Sequence, residues 1–168
     1  MKTALIVAMG KNGEIGYNND LLWHLPRDMK FFRETTTGHV VVMGRKNWDS
    51  IPERFRPLKD RENVVLTRNT DFKLSDAETL ASFDEVEAKY FDLEDPRTCF
   101  IIGGAQIYKL ALDSNKIEEL YITHVDKSFK ADTYFPDINL EEWNSEVLLK
   151  HEKDAKNPYS FTIKRYFK

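Results

Sequence analysis

Four short runs along the chain are apolar at nearly every position: 4–9 (ALIVAM), 39–44 (HVVVMG), 63–67 (NVVLT) and 99–104 (CFIIGG). A brief continuous apolar run that stops at turn residues fits a strand buried on both faces, as in the middle of a parallel sheet. Between these runs the pattern changes to a helical one. Pro26 suits a first helical position, and a helix is expected from there to about residue 35. At about 100° per residue, Leu25, Asp28, Met29 and Phe32 then share one face, while Arg27, Lys30 and Glu34 occupy another. A short helix should follow Gly44, and a further one spans about 105–112. Another begins at Ser82, where SFDE forms a capping box with Glu85 reaching back. Strands alternating with helices predict an α/β domain with a largely parallel sheet. The last third differs. ELYITHV (119–125) reads as a strand, and EVLLKH and YSFTIKRYF flank the polar loop EKDAKNP. In the final segment Tyr159, Phe161 and Ile163 alternate with polar neighbours, which predicts an antiparallel hairpin added to the sheet edge. Roughly eight strands and about four helices are expected, a sheet somewhat above the usual size.

Composition narrows the class. A length of 168 residues without repeat, linker or low-complexity tract is expected to form one domain, 1–168. Hydrophobic residues at 41% and aromatics at 12% favour an ordered globule over a disordered chain. The net charge of −3, with no long basic run, argues against nucleic acid or an anionic membrane as partner. The opening apolar run is broken by Gly10 and Asn12, too early for a membrane span and without a signal-peptide layout. The single cysteine, Cys99, sits in an apolar run and reads as a small core residue. A soluble, unprocessed, cytoplasmic protein is the expectation.

Candidate chemistry begins with Asp28, an acid on the apolar stripe of its helix. A first-turn acid is favoured by the helix dipole, and that reading stays open. The dipole does not explain why the acid points inward. A buried carboxylate costs several kcal/mol unless paired, and the pattern places no cation on that face. A bound ligand with N–H donors is a candidate partner. Three strand ends form a second group, since ligands of open parallel sheets bind beyond the carboxyl ends of the strands. VVVMGRKNW turns at Gly44 before Arg45 and Lys46; VVLTRNT ends in Thr67 and Arg68; FIIGGAQIY turns through Gly103 and Gly104. Each alone is equally well a tight turn. Together they suggest a ligand with several phosphates, held by glycine backbone and helix starts. Arg45 and Arg68 suit a monophosphate separate from a diphosphate, the layout of NADPH rather than NADH. The chain lacks GxGxxG, which disfavours a standard Rossmann site. Finally, SIPERFRPLKDREN gathers Arg54, Arg56 and Arg61, with Arg68 further out. It is either a solvated basic loop or a carboxylate grip. No metal site is expected.

The segments IGYNNDLLWHLPRDMKFF, VVMGRKNWDSIP, IIGGAQIY, LYITHV and ADTYFPD, in this order and spacing, resemble the dihydrofolate reductase family over residues 3–166. The resemblance implies a three-layer α/β fold with a mostly parallel eight-stranded sheet, a C-terminal antiparallel hairpin and about four flanking helices. It implies NADPH-dependent reduction of 7,8-dihydrofolate to tetrahydrofolate, with hydride going to C6 and a proton to N5, in one-carbon metabolism. It also implies a monomer that binds dihydrofolate and antifolate-type small molecules.

By the same resemblance, Asp28 would grip the pterin's amino group and ring N–H and favour protonation at N5, with water delivering the proton. Thr123 would orient Asp28, and Trp23 would hold the water. Val7, Ala8, Met29, Phe32, Ile51, Leu58 and Ile102 would contact the substrate rings, and Arg61 its α-carboxylate. Ala8 would also touch the cofactor. Ile15, Gly16, Asn19 and Leu22 belong to a mobile loop that closes over nicotinamide and pterin, steadied by Asp132. Arg45 and Arg68 fall to the cofactor's adenosine and 2′-phosphate end, and Gly44, Leu66 and Thr67 are further cofactor-binding positions. Lys46, Asn47 and the helix start at Gly103, Gly104, Ala105, Gln106 and Ile107 fall to the diphosphate. Ile102 and Tyr108 would flank the nicotinamide, Tyr108 stabilising positive charge there.

Three departures stand out. Asn47 replaces a common threonine and suits a helix cap. Lys59 and Asp60 replace a frequent Pro-Gly turn, which bears on the aim of Arg61. Leu22 stands where some bacterial members have methionine. Two other readings are a related NADPH-dependent reductase of the riboflavin pathway, which gives no reason for Asp28 or WHLPRD, and an inactive nucleotide-binding module.

Overall fold

The structure is a computed structural model that describes residues 1–168. The strands are β1 (Lys2–Met9), β2 (Glu14–Gly16), β3 (Val40–Gly44), β4 (Glu62–Leu66), β5 (Glu78–Leu80), β6 (Thr98–Gly103), β7 (Glu119–Val125), β8 (Thr133–Tyr134), β9 (Asn144–His151) and β10 (Phe161–Phe167). The helices are α1 (Pro26–Thr36), α2 (Arg45–Ser50), α3 (Phe83–Val86), which continues as a π turn over Glu87–Phe91, and α4 (Ala105–Asp113). Eight strands form one sheet in the order β5-β4-β3-β6-β1-β7-β10-β9, and β2 with β8 forms a separate ribbon. The expected mostly parallel sheet with a C-terminal antiparallel hairpin is borne out.

The chain divides into two compact units. The first holds Met1–Leu5 and Thr36–Ile117. Its strands pair in parallel: β1 with β6, β3 with β6 and β4, and β4 with β5. Val40, Val41, Val42, Met43, Val64, Val65 and Ile101 are wholly buried there, as all-apolar strands covered on both faces must be. Each such side chain contributes about 1.5–3 kcal/mol relative to exposure. Cys99 is buried among them, as expected, and burial pushes its thiol up to about 12.

The second unit holds Ile6–Thr35 and Glu118–Lys168. Leu25, Val125, Phe161 and Ile163 form its core, with Trp23, Phe31, Phe129, Leu149 and Tyr159 packed around them. β10 pairs antiparallel with both β7 and β9, so the returning strand lies inside and β9 is the edge. The burial pattern explains this: Phe161, Ile163 and Tyr166 of β10 are buried, whereas β9 is mostly exposed. Charged Glu146 and Lys150 on β9 discourage another strand from adding to that edge.

Several details depart from the pattern-based reading. β5 is three half-buried residues, too short to show alternation. The β2–β8 ribbon joins segments about 120 positions apart, a pairing that local pattern does not reveal (Glu14↔Tyr134, Gly16↔Thr133). Tyr159 lies before β10, not in it. The cap at Ser82 forms, with Ser82 Oγ accepting from the Glu85 N–H at 3.3 Å. Glu85 reaches back one residue further than the capping-box rule places it, to the Ala81 N–H at 2.7 Å.

Candidate active site

In the second unit, α1 carries Asp28 in its first turn. Thr123, buried on β7, donates its hydroxyl to Asp28 Oδ1 at 2.6 Å. Oδ2 accepts no hydrogen bond from the protein. Burial pushes the Asp28 carboxyl above its usual range, and the Thr123 hydrogen bond and the Arg27 charge offset part of that. Arg27, assigned to another helix face, is thus near enough to be felt. The expected apolar stripe is not packed shut. Leu25 is buried and Phe32 half-buried, but Met29 is 51% exposed. Protein core does not cover this face, and its apolar groups remain available to a ligand. Val7 is buried and Ala8 half-buried on β1. Trp23 packs on Phe129 with ring centroids 5.0 Å apart.

The loop after β1 is tied to residues 126–135 by backbone and by two carboxylates. Lys11 N–H donates to the Lys127 carbonyl at 3.0 Å, and Phe135 N–H to that of Gly13 at 2.8 Å. Asp132 accepts from the Asn18 N–H at 3.0 Å, and its own N–H donates to the Gly16 carbonyl at 3.0 Å. The second carboxylate is Glu14, which the pattern did not single out. It is 1% exposed and accepts from the N–H groups of Asn12 and Phe129. Burial alone would raise its pKa, but the N–H groups of Phe129, Glu14 and Asn12 outweigh that and hold it below the usual value. Gly10 makes room for it: a Cβ there would come within 2.8 Å of Glu14 Oε2. Nothing local marks Glu14, because one of its partners lies 115 positions away. Ile15 and Gly16 are half-buried, Asn19 is exposed, and Leu22 is half-buried beside Leu21, which is 71% exposed.

In the first unit, the carboxyl ends of β3, β4 and β6 carry the candidate phosphate-binding residues. Lys46 and Arg68 are exposed and have no protein partner. Arg45 is held by Asp49 and Phe72, and its terminal nitrogens donate to nothing in the protein. Leu66 is buried and Thr67 half-buried, the Thr67 hydroxyl accepting from the Asn69 N–H. At the end of β6, the Gly103–Gly104 peptide is cis and Gly103 has φ 120°, a region closed to other residues. Tyr108 is buried and donates its hydroxyl to the Ile102 carbonyl at 2.9 Å, and burial raises its pKa. Asn47 does not cap α2, whose N-cap is Gly44; its side-chain amide reaches the Ile102 carbonyl at 3.4 Å instead. Ala105, Gln106 and Ile107 form the first turn of α4. These residues fit a dinucleotide with an extra phosphate. Three cations have donors to spare, and a Cβ added at Gly104 would meet nothing within 4 Å, so this strand end is open.

The arginine loop resolves into distinct groups. Arg56 sits near Asp49 and Glu53, at 3.9 and 3.7 Å, and Arg54 stacks on Phe55. Arg61 is fastened through Nε to the Lys59 carbonyl at 2.9 Å and through Nη1 to the Thr36 hydroxyl at 3.1 Å. The Lys59-Asp60 departure is absorbed: Asp60 adopts φ 59°, taking the conformation a glycine would supply. Ile51 and Leu58 are half-buried.

The sheet makes this an α/β protein; its first unit has a rim of strand ends with cationic donors to spare, and its second an inward carboxylate with one unengaged oxygen. The chain belongs to the dihydrofolate reductase family, whose profile matches residues 2–168. It is 39% identical to a dihydrofolate reductase of Staphylococcus haemolyticus over 166 residues, covering 99% of this chain and 95% of that one. It is 36% identical to a dihydrofolate reductase of Bacillus subtilis, covering 98% and 94%. Among solved structures it resembles Enterococcus faecalis dihydrofolate reductase complexed with NADP(H) and RAB-propyl. That match has TM-score 0.86 and 31% identity, covering 99% of this chain and 95% of that one.

Proposed function

We propose that this chain reduces 7,8-dihydrofolate to 5,6,7,8-tetrahydrofolate with NADPH, and that the residues above carry the roles their positions suggest. One observation carries the assignment: Asp28 is half-buried, fixed through Oδ1 by Thr123, and has Oδ2 unengaged by protein. A carboxylate so held presents one acceptor edge to an amino group and a ring N–H, a charge-assisted pair that orients the pterin. Asp28 favours the protonated state at N5, while water, held by Trp23, delivers the proton. For the substrate rings, apolar contact comes from Val7, Ala8, Met29 and Phe32 in the second unit and from Ile51, Leu58 and Ile102 in the first. Arg61, braced by Lys59 and Thr36, takes the substrate's α-carboxylate.

NADPH, when bound, supplies the hydride. Arg45 and Arg68, with Gly44, Leu66 and Thr67, hold its 2′-phosphate and adenosine end. Lys46, Asn47 and the start of α4 hold the diphosphate, and Ile102 and Tyr108 flank the nicotinamide. Ile15, Gly16, Asn19 and Leu22 belong to the closing loop, which Asp132 steadies through Asn18.

The same reading describes a monomeric, single-domain cytoplasmic enzyme whose ligands are dihydrofolate and antifolate-type small molecules. Two observations support the narrower parts of it. No helix is long and apolar enough to cross a membrane, and the net charge is −3 with no long basic run in the sequence.

The direct test is the loss of NADPH absorbance on mixing purified protein with dihydrofolate, against a control without substrate. Substrate-dependent loss supports the proposal. Cofactor binding with no such loss would instead make the chain an idle nucleotide-binding module.

A further inference from the structure

Arg45 is restrained from two sides before any ligand arrives. Its guanidinium carbon lies over the Phe72 ring, 3.6 Å from the centroid, in a cation–π contact. Its Nε donates to Asp49, at 3.2 Å to Oδ1 and 3.0 Å to Oδ2. The ring covers one face and the carboxylate takes the Nε edge. What remains is the edge bearing Nη1 and Nη2, a fork that matches two phosphate oxygens.

Phe72 is itself placed by a folded turn. Its N–H donates to the Asn69 carbonyl at 3.1 Å, Asp71 N–H to Asn69 Oδ1 at 3.0 Å, and Asn69 N–H to the Thr67 hydroxyl at 3.1 Å. The loop that carries Arg68 therefore also supplies the platform under Arg45. Asp49 brings a negative charge close to a site proposed for phosphate. Arg56, with Nη1 3.9 Å from Asp49 Oδ1, offsets that repulsion.

We infer that Phe72 and Asp49 are positioning residues that aim Arg45 at the cofactor's 2′-phosphate and thereby set the preference for NADPH over NADH. The inference rests on the proposed role of Arg45. Without the stack and the Nε anchor, a long flexible side chain spends little time with its fork in place, and the extra phosphate gains less from it.

The test compares dissociation constants for NADPH and NADH, measured by quenching of intrinsic tryptophan fluorescence in the full-length protein. Arg45→Leu sets the full size of the effect. Phe72→Leu should cut the NADPH-to-NADH preference about fivefold, and Phe72→Tyr should hold it within about twofold. Asp49→Ala should cut it about threefold, while Asp49→Asn should retain it, because its Oδ1 still accepts from Nε. NADH affinity should stay within about twofold in the Phe72 and Asp49 variants, which also reports that each of them is folded. If Arg45→Leu lowers the preference but Phe72→Leu and Asp49→Ala do not, Arg45 reads the phosphate unaided and the inference is overturned. A preference that rises in Asp49→Ala would show Asp49 acting as a repulsive charge, which overturns its positioning role. An unchanged preference in Arg45→Leu would remove the underlying assignment and the inference with it.

Discussion

Asp28 shows how one side chain trades stability for chemistry. Its carboxyl is held above the usual range by burial, against the Thr123 hydrogen bond and the Arg27 charge. A raised folded-state pKa means that the neutral form suits the fold and the ionised form strains it. Any stability linked to this proton is present at low pH and is lost as pH rises through the folded-state pKa. Asp28→Asn should therefore be more stable than the native protein at pH 7, by about 0.5–2 kcal/mol. That advantage should shrink in acid, where the native carboxyl is itself protonated. Hydride turnover at neutral pH should fall by about 10²–10⁴-fold in the same variant. Denaturant melts at several pH values and stopped-flow turnover check both halves, and near-normal turnover would sink the role given to Asp28. Periodicity alone showed that this acid faces inward. Its hydroxyl partner lies 95 positions away, on a strand whose own pattern gave no hint of that contact.

At the scale of elements, the loop after β1 depends on Glu14. Its depressed pKa means that its contribution is present above the ordinary glutamate value, and is lost as pH falls through the folded-state pKa. Glu14→Val leaves the part-buried N–H groups of Asn12 and Phe129 without their acceptor and should cost about 1–3 kcal/mol at pH 7. Glu14→Gln keeps an acceptor and should cost about 1 kcal/mol, the gap to the native protein closing as pH falls through the depressed folded-state pKa. Equilibrium unfolding of both variants decides this; stability equal to the native protein at pH 7 would rule the anchor out. Helices and central strands were legible here because each carries its own signal. Val40–Gly44 is buried at every position, and Pro26 marks its helix start. The β2–β8 ribbon and β5 were not legible, since two or three residues cannot display a period.

For the whole molecule, ligand linkage gives a compact check on the cofactor. NADPH at about one hundred times its Kd should add about 2.7 kcal/mol. For a chain of this length that raises Tm by about 5–10 °C. NADH at the same concentration should raise it less, and a thermal-shift titration with equal responses would place the 2′-phosphate outside the site. The amino-acid sequence by itself determined the α/β class, the positions of most strands and helices, and the inward set of Asp28. These follow from short-range periodicity and from residues such as proline whose backbone preferences are intrinsic. That Thr123 would orient Asp28 was implied by the family resemblance; tertiary structure alone decided that β10 lies inside β9. It alone placed Glu14 as the loop's anchor and Phe72 as the platform for Arg45. Each of these depends on groups far apart in the chain, or on which of several exposed cations finds a ring and a carboxylate. No local pattern encodes that choice, which is made by the packing of the folded chain.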